Sequence, residues 1–146
     1  MKILRIIASV DPSGGGPIEG LLQQAEVMTR QGTETHVASL DDPAAEWVRT
    51  CPVQVFALGK KRRDDWRRRL PWVHYGYSPA FVPWLKVHVK EYDVVLVDGL
   101  WNYATMGARR VLVTGSVSYA VFTHGMLDPW FRKTYPLKNV LKQSYT

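Results

Sequence analysis

The stretch "KILRIIASVDPSGGGPIEGLLQQAEVMTRQG", Lys2 to Gly32, decides the fold. It opens with an apolar run, residues 2 to 8, that predicts a fully buried strand. It closes with Ile18, Leu21, Leu22, Ala25 and Met28 on one face at helical spacing, while Gln23, Gln24, Glu26 and Arg30 fill much of the rest. Pro17 suits a first helical position, where its missing N–H has no partner to lose. Gly32 is a C-terminal stop. Between strand and helix stand Gly14, Gly15 and Gly16.

Three uses compete for these glycines. A dinucleotide fingerprint, G-x-G-x-x-G, is met at Gly14 and Gly16 but fails at Glu19, one residue short of Gly20, although an acidic pair, Asp41-Asp42, does follow at the end of the second strand. A P-loop is excluded, because Pro17-Ile18-Glu19 stands where Gly-Lys-Ser/Thr is needed. A looser anion cradle fits: a glycine turn into a helix N-terminus offers free N–H groups and the positive dipole end to a diphosphate. The plain alternative is a tight turn that needs positive φ, but three glycines in a row exceed what a turn requires.

Outward from this stretch the pattern repeats. "ETHVASL" is a second strand, Val53 to Leu58 a third, "YDVVLVDG" a fourth and "YAVFTHG" a fifth. Helices are predicted from about Pro79 to Tyr92, from Asn102 to Gly115 and in "YPLKNVLKQSYT". Continuous apolar strands alternating with helices predict an α/β fold: a Rossmann-like parallel sheet with helices on both faces. Ligands of such sheets bind outside the carboxyl ends of the strands. Those ends are Asp11 to Gly16, Asp41-Asp42, Asp98 to Asn102 and His124 to Trp130. Residues 1–146 read as one domain, and the chain stops inside a helical pattern without a Gly or Pro signal, which suggests the first part of something longer.

At 46% hydrophobic residues the composition is globular. No apolar run reaches the roughly 20 residues of a membrane span, and the N-terminus lacks a signal-peptide pattern, so a cytoplasmic protein is expected. A single cysteine, Cys51, excludes an internal disulfide and a cysteine-rich metal site. The net charge of +6 is local: residues 60–69 carry Lys60, Lys61, Arg62, Arg63, Arg67, Arg68 and Arg69 against Asp64 and Asp65, a local charge of +5. Trp66, Trp72, Tyr75, Tyr77, Phe81 and Trp84 lie in or shortly after this segment. Cations with interfacial aromatics fit an anionic membrane surface. A solvated loop and single-stranded nucleic acid are the alternatives, the latter without an accompanying motif.

Taken together, "GGG" with its Pro-led helix, "VVLVDGLWN", and "FTHGMLDPW" followed by "YPLKNVLKQ" resemble the N-terminal domain of family-four glycosyltransferases, with "THGMLDPW" the most specific part. The resemblance covers essentially the whole chain. It implies half of a GT-B architecture, in which two Rossmann-like domains face each other across a cleft. The N-terminal domain mainly binds the acceptor, and a C-terminal domain binds the nucleotide-sugar donor and carries a pair of glutamates. The loop matching Gly14, Gly15 and Gly16 reaches the donor diphosphate, and the histidine matching His124 lies beside the transferred sugar. No metal or other cofactor is implied. The implied partners are a nucleotide-sugar and a glycan or lipid-linked acceptor, as in bacterial surface polysaccharide synthesis. Transfer would be retaining, by attack from the leaving-group face with the donor phosphate taking the acceptor proton.

Position alone agrees for His124, directly after a buried strand and before Gly125. Asp128 is a candidate for acceptor hydroxyls or a helix cap. Asp98, Trp101 and Asn102 are candidates for the cleft wall or for packing and capping. The alternatives from other classes are a dinucleotide-binding domain of an oxidoreductase and a non-catalytic binding module.

Overall fold

The computed structural model describes residues 1–60 and 76–127. Lys61, Arg62, Arg63, Arg67, Arg68, Arg69, Asp128 and the helix expected after Tyr135 lie outside the described residues. Five strands form one parallel sheet: β1 Lys2–Ile6, β2 Glu34–Ser39, β3 Gln54–Ala57, β4 Val94–Asp98 and β5 Ser118–Phe122. Their order in space is β3-β2-β1-β4-β5. β1 is central, with Ile3 opposite Thr35 on one side and Val94 on the other. The helices are α1 Gly16–Arg30, α2 Glu46–Arg49, α3 Phe81–His88 and α4 Tyr103–Leu112. The fold is α/β and Rossmann-like.

Alternation along the central strand separates two cores. Leu4 and Ile6 of β1, with Val95 and Val97 of β4, pack under α3 and α4 through Phe81, Leu85, Ala104 and Ala108. Ile7 and Val37 pack on the other face under α1 through Ile18 and Leu21, with Trp47 and Val48 of α2 at the edge. Helices therefore cover both faces, as the apolar strands require.

α3 and α4 approach closely because position 107 is glycine. A Cβ there would sit 2.7 Å from the Phe81 ring. The helix expected over Pro79 to Tyr92 is shorter than its pattern. Its start is held by Ser78, whose hydroxyl donates to the Leu58 carbonyl and accepts from Ala80 N–H at 3.3 Å. After His88 the chain tightens into a 3-10 turn, Val89–Glu91. Pro83 is harmless so near the helix start, where N–H groups have no intrahelical partner. α2 was not expected: four residues are too few to show a period.

Candidate functional site

The strand order reverses between β1 and β4, so the crevice outside their carboxyl ends is the ligand position of this topology. The loop after β1 enters it first. Asp11 caps a 3-10 turn, Pro12–Gly14, by accepting from Ser13 N–H at 2.9 Å. Gly15 then takes φ 69° and ψ −138°, a conformation essentially reserved for glycine. It is also the residue before α1, and no side chain caps that helix. The turn thus requires a glycine at 15. Gly14 and Gly16 do not have positive φ, although Gly16 stands in helical backbone directly before Pro17, where a Cβ would crowd the proline ring. Among the described residues beyond its chain neighbours, a Cβ at Gly16 would meet nothing within 4 Å, and one at Gly14 only Ile18 Cγ2 at 3.9 Å. Among the described residues outside the loop itself, only Ile18 approaches the space beside Gly14 and Gly16.

Beside this loop, Asp41 of the acidic pair is fully engaged. Its Oδ1 accepts from Ser9 Oγ at 2.5 Å and Trp47 Nε1 at 3.0 Å, its Oδ2 accepts from Val10 N–H at 2.8 Å, and it is 6% exposed. It pins the loop after β1 to β2. Asp42 accepts from Ala44 N–H at 2.9 Å and shapes the next turn.

The other wall is built on β4 and β5. Asp98 ends β4 and is buried. Arg5, in the middle of β1, donates to it in a fork: Nε to Oδ2 at 2.9 Å and Nη2 to Oδ1 at 2.6 Å. The third contact of Arg5 is Nη1 to Gln24 Oε1 of α1 at 2.6 Å, and its guanidinium lies 5.3 Å from the Phe122 ring centroid. His124 Nε2 is 2.9 Å from Asp98 Oδ1, and the imidazole is 26% exposed. His124 has φ 46°, the one described non-glycine residue with positive φ. Such backbone costs an L-residue on the order of 1 kcal/mol and concentrates at functional positions.

Asn102 caps α4, accepting from Thr105 N–H at 3.0 Å, while Thr105 Oγ1 donates to Gly99 O at 3.0 Å. Capping, one of the roles expected for Asn102, is thus performed by its Oδ1. Trp101 is 38% exposed at the mouth of this wall. Met126 lies against the loop after β4, with its sulfur accepting from Leu100 N–H at 3.3 Å. Asp98 is a support held between Arg5 and His124 rather than an open group of the wall.

Arg5 was not among the expected site residues, yet its signal was present. An arginine inside an otherwise apolar parallel strand must be paired, and an aspartate ending a neighbouring strand is a natural partner. Among the described residues no three of His, Cys, Asp and Glu come together as a metal site, and no helix is long and apolar enough to cross a membrane. A separate cavity of about 130 Å³ opens at the amino edge of the sheet, near Lys86, Lys90 and Arg110, away from the crevice. No protein-family model, curated protein or solved structure matches the chain.

Proposed function

We propose that this chain is the acceptor-side domain of a retaining, nucleotide-sugar-dependent glycosyltransferase of the family-four kind, acting in bacterial surface polysaccharide synthesis. The observation that carries this reading is the open loop at Gly14 and Gly16, which leads into the uncapped N-terminus of α1 at the crevice where His124 also stands. The positive dipole end of α1 suits a diphosphate without help from a cation. A half-exposed imidazole suits a sugar or acceptor hydroxyl. In this reading the loop takes the donor's phosphates and His124 orients the sugar, while the donor's base and sugar are held by a second domain. The acceptor oxygen attacks the anomeric carbon on the leaving-group face, the bond to the diphosphate breaks, and the departing phosphate oxygen takes the acceptor's proton.

Asp41 weighs against the dinucleotide alternative. A dinucleotide site needs a carboxylate at the end of β2 free for the ribose, and both oxygens of Asp41 are already engaged.

The test is substitution where glycine is not needed by the backbone. A residue at Gly15 would be strained whatever the ligand, and a Cβ at Gly16 would crowd the ring of Pro17, so Gly14→Ala is the informative variant. Expected is a melting temperature equal to or above wild type, because Gly→Ala at compatible backbone gains about 0.4–1 kcal/mol. Affinity for inorganic pyrophosphate and nucleotide-sugars should fall together with this gain. Unchanged affinity in a folded Gly14→Ala protein overturns the anion cradle.

A further inference from the structure

His124 meets a partner that accepts hydrogen bonds and cannot donate them. Asp98 is gripped by the Arg5 fork, with both side chains buried at 3% and 0% exposure. A guanidinium stays charged, and a carboxylate paired with it is acceptor-only. The nitrogen facing it, His124 Nε2, must therefore bring the proton. A neutral imidazole has one N–H, so Nδ1 is left with a bare lone pair. That nitrogen has no hydrogen-bond partner among the described residues.

We propose that Arg5 and Asp98 are positioning residues that lock His124 in its Nε2–H tautomer. Nδ1 then selects a hydrogen-bond donor, a hydroxyl group, over an anionic oxygen. The proposal rests on His124 facing the ligand, as in the function proposed above, and assigns it the class of group it contacts. Two structural facts support it. The left-handed backbone of His124, in a turn closed by Met126 N–H to Thr123 O at 2.9 Å, brings the ring to Asp98. Gln24 ties the same network to α1, the helix whose N-terminus carries the glycine loop. The crevice thereby separates two chemistries: the positive dipole end of α1 for anions and a bare lone pair on His124 for hydroxyls.

The test reads the proton directly. The chain is labelled at its histidine nitrogens, and among the four histidines His124 is identified by the signals lost in His124→Asn. At a pH where the imidazoles are neutral, long-range proton–nitrogen spectra should show His124 wholly as the Nε2–H form. In the double variant Arg5→Met, Asp98→Leu the Nδ1–H form should become detectable, as in an imidazole free of constraint. Saturating inorganic pyrophosphate should leave the His124 nitrogens of the wild-type chain neutral and unshifted. A measurable Nδ1–H share in wild type overturns the lock without need of any variant, and so does an unchanged tautomer in the folded double variant. Conversion of His124 to imidazolium by pyrophosphate overturns the selection of hydroxyls. None of these measurements requires sugar transfer, so their failure is distinct from failure of the transferase assignment.

Discussion

At the scale of single residues, His124 and Tyr92 behave in opposite ways. His124 has left-handed backbone, one charged partner and an imidazole that is 26% exposed. His124→Asn, which tolerates left-handed backbone, should therefore keep the fold and its melting temperature. In the complete transferase it should lower turnover by about 10²-fold, near 2.7 kcal/mol of transition-state stabilisation. A loss under threefold assigns His124 to structure alone. Tyr92 is 5% exposed and hydrogen-bonded to His36 Nδ1 at 3.0 Å. Burial first, then the negative charges of Glu91 and Glu34, push its phenol up to about 12. An unfolded tyrosine ionises near 10. Between those values the unfolded chain sheds this proton and the folded one keeps it, so stability is full below pH 10 and falls as pH rises towards 12. Alkaline absorbance titration should show a late tyrosine that disappears in Tyr92→Phe; its persistence would place the late step at Tyr103, also raised by burial. The histidine was legible in the sequence because it follows a buried strand and precedes a glycine. Arg5 stood out as a charge inside an apolar strand, but its partner did not, because that depends on which strand lies beside β1, and the order is set by tertiary packing.

At the scale of elements, the strands were legible from their apolar runs and the long helices from their spacing. Boundaries shifted where one side chain intervened, as Ser78 does before α3. Pairing was the hidden part, and it carries the clearest energetic expectations. Arg5 and Asp98 join β1 to β4 away from water. Breaking a buried pair by removing one partner leaves an uncompensated charge and costs about 3–5 kcal/mol, whereas replacing both with apolar groups is often neutral or stabilising. Denaturant titration should therefore find Arg5→Met strongly destabilised and Arg5→Met, Asp98→Leu close to wild type. A double variant as weak as the single one would mean that the pair itself stabilises the fold. The crossing of α3 and α4 gives a second case. Gly107→Ala places a methyl 2.7 Å from the Phe81 ring, and overpacking of this kind costs about 1–3 kcal/mol. Phe81→Leu should relieve part of that cost when combined with it, measured as a non-additive melting temperature.

At the scale of the whole molecule, charge and connectivity matter most. Seven of the 19 basic residues fall between Lys60 and Arg69, and Lys60 already lies 5.6 Å from the Tyr77 ring centroid, a cation beside an aromatic. We propose that this segment rests on an anionic membrane surface. Flotation should find the chain with phosphatidylglycerol vesicles and much less with phosphatidylcholine ones, and added salt should release it. At about 1 kcal/mol per cation, reversing Arg67, Arg68 and Arg69 to Glu should lower partitioning by roughly two orders of magnitude. Equal binding to both vesicles would reduce the segment to a solvated loop. The central place of β1 has a further consequence, in time rather than in space. Arg5 and Asp98 are 93 residues apart, and synthesis proceeds at about 5–20 residues per second. For roughly 5–20 s the strand destined for the middle of the sheet has one neighbour at most, and its buried arginine has no carboxylate. β1, α1 and β2 are able to assemble in that interval, while the β1–β4 seam waits for the chain to return. Folding of this molecule on the ribosome is therefore expected to have a late, cooperative closing step. That step should be visible as protease resistance of β1 gained only after β4 has left the exit tunnel.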